Sequence, residues 1–171
     1  LLDALKSLGQ LDNTWVVYTS DHGEMLGEHR LWAKMNFYRG SVQVPLIIVP
    51  PGGMQPRVDP SLVELTDVTA TLAAIGDAAA PAGCRGQSLL PALTEPQAGR
   101  GLLHARIGNY AAIRSATHRL TMHLKSGTAC ELFDLKNDPA EQANLINDPA
   151  LASIVSDLQV ALLDHESSDD E

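Results

Sequence analysis

The chain has 171 residues, 44% of them hydrophobic and 19% charged, so it is long enough to form a globular domain with its own core. Twelve basic against twenty-one acidic residues give a formal net charge of −9, which argues against nucleic acid as a partner. No apolar run approaches the roughly 20 residues that cross a bilayer, so a membrane partner is not expected.

The chain opens with a helical pattern. Leu1, Leu5 and Leu8 lie on one face of a helix, and Gly9 follows as a natural stop. No capping residue precedes this stripe, so we expect the sequence to begin partway along a helix, as a fragment of a longer protein would.

The segments that follow alternate between strand and helix. The runs "TWVVYTS" (residues 14–20) and "VPLIIVP" (44–50) are apolar almost throughout, which is typical of strands buried on both faces of a parallel sheet. A helix is predicted from Thr66, a favourable N-cap, to Gly76. This order predicts an α/β fold over residues 1–100, and the Gly- and Pro-rich stretch after Gly76 predicts a surface connection.

The pattern changes after residue 100. Three short strand-like runs with tight spacers predict an antiparallel meander: "YAAIRS", "HRLTMHL" and "CELFDL". A final helix is predicted from Asp148, with Pro149 at its first helical position. One face of this helix is apolar: Leu151, Ile154, Val155, Leu158 and Leu162. We expect the helix to pack on the small sheet, so that residues 101–171 form a subdomain.

An acidic residue and a histidine, Asp21 and His22, stand side by side where the first predicted strand ends. In open α/β sheets, sites form beyond the carboxyl ends of strands, and a turn there can aim both side chains at one ion. Carboxylate oxygen and imidazole nitrogen suit a divalent cation such as Mn²⁺ or Ca²⁺, and Gly23 would relieve crowding. By itself, Asp-His-Gly is more often a plain turn in which Asp21 caps a local N–H.

The longer segment "TSDHGEMLGEHRLWAKMNFYRGSVQVPLIIVPPGG" surrounds this pair, and its most specific part runs from Ser20 to Pro45. Four other segments occur in a matching order: "LDALKSLGQLDNT", "VELTDVTATLAAIG", "GQSLLPAL" and "CELFDLKNDPAEQANL". Together they resemble the sulfatase branch of the alkaline phosphatase superfamily, which includes arylsulfatases, choline sulfatase-like enzymes and phosphonate monoester hydrolases. The resemblance implies part of an alkaline phosphatase-like sheet with flanking helices over residues 1–100. A small antiparallel sheet with a packing helix is implied over residues 101–171.

On this resemblance, Asp21 and His22 match the family's second pair of metal ligands. Lys34 matches the catalytic lysine that approaches the sulfate or phosphate oxygens, where an ammonium would stabilise the negative charge of the transition state. The alternative for Lys34 is a solvated loop lysine. The implied cofactors are a divalent metal ion, Ca²⁺ or Mn²⁺, and a formylglycine, and no other cofactor-binding residue is indicated.

Other residues of this loop are given structural roles. His29 is expected to pack or to support a ligand rather than bind the metal itself, and Trp32 and Phe37 are expected to pin the loop to the core. Arg39 and Gln43 depart from the family pattern, and these departures concern the substrate class more than the predicted ligands.

Two parts of the family's site are not found in the sequence. The formylglycine is made from Cys or Ser in the motif C/S-x-P-S/A-R, and neither Cys84 nor Cys130 lies in that motif. The first metal pair, Asp-Asp, belongs to the N-terminal half of such enzymes. We therefore expect the C-terminal part of a metal-dependent sulfuric ester hydrolase, inactive alone and acting, in the whole protein, on small sulfate, phosphate or phosphonate esters.

Two alternatives stay open. The same scaffold carries phosphonate monoester and phosphodiester hydrolases, and a stand-alone, non-catalytic binding or assembly module is the alternative from another class. Part of a sheet should expose an unpaired edge and apolar faces, so self-association into homo-oligomers is expected. The sequence leaves the compartment open between cytoplasm and periplasm.

Overall fold

The computed structural model describes residues 1–94 and 99–167, which divide into two compact units. The first unit comprises Leu1–Lys34 and Gly40–Asp59, and the second comprises Met35–Arg39 and the described residues from Pro60 onward. The predicted boundary after residue 100 falls inside the second unit and stays a prediction. Small parts of the predicted surface connection and of the predicted C-terminal subdomain lie outside the described residues.

The first unit holds a short helix and two strands: α1 (Leu2–Ser7), β1 (Val16–Thr19) and β2 (Leu46–Val49). Three-residue 3₁₀ turns lie at Leu11–Asn13 and Glu28–Arg30, and helix α2 (Arg39–Val42) precedes β2 along the chain. The predicted first helix is confirmed, and it ends just before Gly9.

Strands β1 and β2 pair antiparallel, with Val16 opposite Val49 and Tyr18 opposite Ile47. The prediction of a parallel sheet with both faces buried was wrong for this pair. Tyr18 and Ile47 are cross-strand neighbours, and their exposed fractions are 60% and 54%. An apolar run predicts a strand but not the direction in which that strand pairs. Here the chain between β1 and β2 reverses direction, so the two strands pair antiparallel.

The second unit contains an antiparallel sheet of four consecutive strands: β3 (Leu103–Ile107), β4 (Tyr110–Arg114), β5 (His118–His123) and β6 (Thr128–Asp134). The predicted meander is confirmed by β4, β5 and β6, which pair in sequence order. Strand β3 was not predicted. It is an edge strand in which His104 and Arg106 interrupt the apolar residues, so its sequence signal is weak.

Helix α5 (Ala152–Ser167) covers this sheet. It follows a 3₁₀ turn at Pro149–Leu151, which Asp148 caps by accepting a hydrogen bond from the Ala150 N–H (2.9 Å). The predicted start of the helix at Asp148 and Pro149 is therefore confirmed. Its apolar face packs into a core formed with the sheet: Ala111, Ile113, Leu120, Met122, Leu132, Leu158 and Leu162. Each large side chain buried there contributes about 1.5–3 kcal/mol.

Two further helices lie between the strand regions: α3 (Leu65–Ile75) and α4 (Leu90–Thr94). The N-cap of α3 is Glu64 and not Thr66, because the Glu64 N–H donates to the Asp67 carboxylate (2.9 Å). The short helix α4 was predicted as part of a surface connection, since glycine and proline dominate the composition around it.

Asp67 joins α3 to the segment that leads from α3 to β3. Its carboxylate is buried and accepts hydrogen bonds from the Gln87 N–H (2.7 Å) and from the guanidinium of Arg100 (Nε, 3.2 Å). Burial alone would raise the pKa of Asp67, but the hydrogen bonds from Arg100 and from the backbone outweigh it and hold that pKa below its ordinary value. Asp67 is therefore a paired, structural carboxylate.

The predicted fold class is confirmed as α/β, with an antiparallel sheet followed by a C-terminal helix. Within residues 1–94 and 99–167, no helix combines the length and the apolar character that a membrane span requires. Several large apolar side chains of the first unit are exposed, among them Leu2, Leu8 and Leu26. Self-association of the chain stays a prediction.

The core beneath α5 gives a direct test of the second unit. Leu162 is fully buried, so replacing it with alanine should lower the free energy of unfolding by about 2–5 kcal/mol. Leu163 is adjacent but 45% exposed, and Leu163→Ala should cost less than about 1 kcal/mol. Urea denaturation of both variants makes the comparison, and equal losses would contradict the packing of α5 described above.

Candidate active site

The chain turns sharply after β1, and this turn brings Asp21 and His22 together. Asp21 Oδ2 lies 3.4 Å from His22 Nε2. The Ser20 hydroxyl donates to the His22 carbonyl (2.9 Å), and the His22 N–H donates to Asp21 Oδ1 (3.0 Å). The second bond is the local cap expected of a plain turn, and the other carboxylate oxygen still faces the imidazole.

Both ring nitrogens of His22 have partners. Nδ1 lies 2.8 Å from the Gly23 carbonyl oxygen, which can only accept, so the proton is assigned to Nδ1. Nε2 then carries a lone pair, and the Lys34 ammonium donates to it. The structure thus brings the three predicted site residues, Asp21, His22 and Lys34, into one group.

Lys34 reaches His22 because the intervening loop folds back on itself. The Met25 N–H donates to the Ala33 carbonyl (3.0 Å), which places the next residue, Lys34, beside the turn. Met25 is fully buried and anchors the loop. The expectation that Trp32 pins the loop was wrong, since 73% of Trp32 is exposed, whereas Phe37 is buried as predicted.

Gly23 is required by a close backbone approach. Its N–H donates to the Ser41 carbonyl (2.8 Å). A Cβ at position 23 would overlap the carbonyl oxygen of Gly40, so no other residue fits without moving the chain. The Asp-His turn is therefore held against the residues that begin α2.

The same loop is backbone-strained. Five residues other than glycine have positive φ values: Leu26 (47°), His29 (51°), Arg30 (61°), Ala33 (62°) and Met35 (84°). Each such residue costs roughly 1–2 kcal/mol, and strain of this kind persists where surrounding contacts impose it, often at functional sites. Sequence reasoning missed this feature, because apart from His29 none of these residue types favours a left-handed backbone.

Asp21 is charged at neutral pH. Desolvation raises its pKa, but the hydrogen bond from the His22 N–H and the nearby Lys34 ammonium outweigh it, so that pKa lies below its ordinary value. The group therefore presents a carboxylate and an imidazole lone pair, which are ligands for a divalent cation, beside an ammonium that can bind an anion.

The donor set fits part of a metal site. No cluster of three or more His, Cys, Asp or Glu side chains capable of holding a metal occurs among the described residues. Asp21 and His22 offer two donors, whereas Ca²⁺ takes 6–8 oxygen ligands and catalytic zinc sites have three protein ligands. One carboxylate and one imidazole are compatible with a shared site completed by other ligands.

This arrangement occurs in a chain with clear relatives. Residues 1–78 match the family model described as Sulfatase. The choline-sulfatase of Rhizobium meliloti is 34% identical over an alignment that covers 99% of this chain and 35% of the relative. The chain belongs to the sulfatase family. It spans about a third of the length of the curated relatives it matches.

Solved structures of related proteins match almost the whole chain. A 2-O GAG sulfatase gives a TM-score of 0.85 at 29% identity, covering 99% of this chain and 40% of that protein. The phosphonate monoester hydrolase of Silicibacter pomeroyi gives a TM-score of 0.83 at 27% identity, covering 98% of this chain and 37% of that protein. These sulfatase-family likenesses confirm the predicted alkaline phosphatase-like fold.

The tautomer of His22 can be read directly. A long-range ¹H–¹⁵N spectrum above pH 8 should show His22 protonated at Nδ1, because the Gly23 carbonyl accepts that proton. Lys34→Ala should shift the Nε2 resonance of His22 and leave that of His118 unchanged, since His22 accepts from Lys34 whereas His118 pairs with the Thr117 hydroxyl. A spectrum with the His22 proton on Nε2 would contradict the assigned site.

Proposed function

We propose that this chain contributes a metal-ligating pair and an anion-binding lysine to the active site of a sulfuric ester hydrolase. The observation that carries the proposal is the convergence of Asp21 Oδ2 and Lys34 Nζ on one atom, His22 Nε2. A plain turn would need the local cap from Asp21 but would have no use for a lysine directed at the imidazole. Membership of the sulfatase family supports this reading.

In the proposed site, Asp21 and His22 would hold a divalent cation, Ca²⁺ or Mn²⁺. Such an ion, when bound, withdraws charge from the oxygens of the ester and of the attacking group. The Gly23 carbonyl accepts the proton on His22 Nδ1, which in the neutral imidazole leaves the Nε2 lone pair for a metal. The low pKa of Asp21 keeps its carboxylate ionised.

Lys34 binds and stabilises the anion. Its ammonium cannot share the His22 lone pair with a cation, so in the loaded site it is available to donate to the sulfate oxygens. Fixed positive charge beside an oxyanion stabilises the transition state more than the ground state, because negative charge increases there. In a chain with net charge −9, this local group is what attracts an anionic ester.

The remaining ligands and the nucleophile would come from other parts of the complete protein. Sulfatases generally use a metal ion and a formylglycine, and the C/S-x-P-S/A-R motif does not occur in these 171 residues. The substrate class we propose is a small sulfate ester. A phosphonate monoester is the second candidate, supported by the structural likeness to the phosphonate monoester hydrolase of Silicibacter pomeroyi.

Substitution of Lys34 in the complete protein tests the catalytic role. Lys34→Ala should lower kcat for an aryl sulfate by about 10²–10³-fold, the usual loss when one oxyanion-stabilising donor is removed. Lys6→Ala, which removes an exposed lysine of α1, is the matched control and should leave kcat unchanged. Parallel assays with an aryl phosphonate decide between the two substrate classes.

Three results would overturn parts of this proposal. An unchanged kcat in Lys34→Ala would remove the lysine from the mechanism. Loss of activity in Asp21→Asn that excess Mn²⁺ or Ca²⁺ fails to alter, with unchanged metal content, would remove the carboxylate from the metal site. If the complete protein hydrolyses neither ester, the chain belongs to a non-catalytic binding module instead.

The 171 residues alone should bind metal weakly and turn over no ester, since they hold two of the proposed ligands and lack the formylglycine motif. Titration calorimetry with MnCl₂ should detect only weak binding of Mn²⁺ to the 171-residue chain, and Asp21→Asn should abolish that binding. Metal-dependent hydrolysis of an aryl sulfate by the purified chain, above that of the Lys34→Ala control, would contradict this expectation.

A further inference from the structure

A buried charged cluster in the second unit holds the short segment that follows Lys34. We define the Arg119 cluster as Arg119, Thr121, Glu131 and Glu141. Arg119 Nε donates to Glu141 Oε1 (2.6 Å), and Arg119 Nη1 donates to Glu131 Oε2 (3.1 Å) and to the Thr121 hydroxyl (2.6 Å). The Thr121 hydroxyl in turn donates to Glu131 Oε2 (2.8 Å), so the cluster is internally connected.

Each glutamate uses its second oxygen to hold the segment Met35–Arg39. Glu131 Oε1 accepts from the Tyr38 hydroxyl (3.0 Å), and Glu141 Oε2 accepts from the Arg39 backbone N–H (2.7 Å). The two carboxylates carry two negative charges and the Arg119 guanidinium carries one positive charge. The oxygens that hold Met35–Arg39 therefore retain negative charge. Charge-assisted bonds of this kind are about twice as strong as neutral ones.

Burial makes this attachment rigid. Arg119 and Glu141 are each 3% exposed, and the Arg119 guanidinium lies over the rings of Tyr38 (5.1 Å) and Phe133 (4.8 Å). Glu141 is itself a positive-φ residue (56°), a backbone conformation that persists because both of its carboxylate oxygens are engaged. Release of one partner would leave a buried charge unsatisfied, which resists local opening.

The segment Met35–Arg39 lies in the sequence between two parts of the chain that shape the candidate site. Lys34 immediately precedes it, at the end of the strained loop. Gly40 and Ser41 immediately follow it, and the Ser41 carbonyl accepts the Gly23 N–H of the Asp-His turn (2.8 Å). Movement of residues 35–39 would therefore displace Lys34 through the covalent chain. It would also displace Gly23, through the hydrogen bond to Ser41.

We propose that the Arg119 cluster positions the catalytic loop by clamping Tyr38 and Arg39. Its members act as positioning residues, through the chain that leads to Lys34 and Ser41. The positioning of Lys34 for catalysis rests on the proposed function, whereas the restraint of the loop itself does not. The cluster thereby gives the C-terminal sheet a role in the chemistry of a site built from residues 21–34.

The test compares two buried carboxylates of the same unit in the complete protein. Glu141→Gln weakens the clamp, and Tyr38→Phe removes one of its bonds without leaving a buried charge unpaired, which keeps the test usable if the first variant folds poorly. Asp67→Asn is the matched control. Asp67 is also buried and also accepts from an arginine and from backbone N–H groups, and these partners (Glu64, Gln87 and Arg100) lie outside residues 35–39.

Two readouts separate positioning from stability. In Glu141→Gln, amide hydrogen exchange at Gly23, Met25 and Gly27 should accelerate about tenfold, and kcat should fall about 10- to 100-fold with KM changed less than about threefold, because small misplacements of catalytic groups are costly. Tyr38→Phe should show the same changes at smaller size. Asp67→Asn should lower Tm while leaving both readouts unchanged.

The outcomes are distinct. If Glu141→Gln and Asp67→Asn lower Tm alike and neither changes exchange or kcat, the cluster is structural only and the proposal is overturned. If the wild-type complete protein hydrolyses no ester, the proposed function fails and the exchange measurement decides alone. In that case, faster exchange in Glu141→Gln supports the clamp, and exchange equal to wild type overturns it.

Discussion

The two hydrogen bonds of the His22 imidazole determine how the candidate site works. Because the Gly23 carbonyl accepts a hydrogen bond from Nδ1, the proton is assigned to Nδ1. The unprotonated Nε2 then lies near both Asp21 and Lys34. One lone pair serves either a cation or an ammonium, but not both. In the proposed function, a metal ion bound at Nε2 would therefore free Lys34 to bind an anion.

Part of this site could be predicted from the sequence. The apolar run before Asp21 indicates a strand, and the polar pair at its end indicates the site, because strand ends are where loops converge. The return of Lys34 to His22 could not be predicted from the residues themselves. That return depends on a loop with left-handed backbone at four non-glycine positions before Lys34, and most of these residue types give no sequence signal for that conformation.

The fold shows the same division. Helix α5, its cap at Asp148 and the strands β4 to β6 follow from local patterns of three to sixteen residues, and they were predicted. The direction of β2 and the existence of β3 depend on tertiary pairing and were missed. The Arg119 cluster is invisible to local patterns, since Glu141, Arg119 and Tyr38 are far apart in sequence and meet only in the folded unit.

The backbone contact between Gly23 and Gly40 has a consequence of its own. Two segments meet there without any side chain between them, so closely that a Cβ on Gly23 would overlap the Gly40 carbonyl oxygen. If the sequence were shifted by one position, the side chain of His22 or Glu24 would occupy this contact, where there is room only for the hydrogen of glycine. Steric exclusion thus requires a glycine directly after His22, independently of any chemistry at the neighbouring side chains.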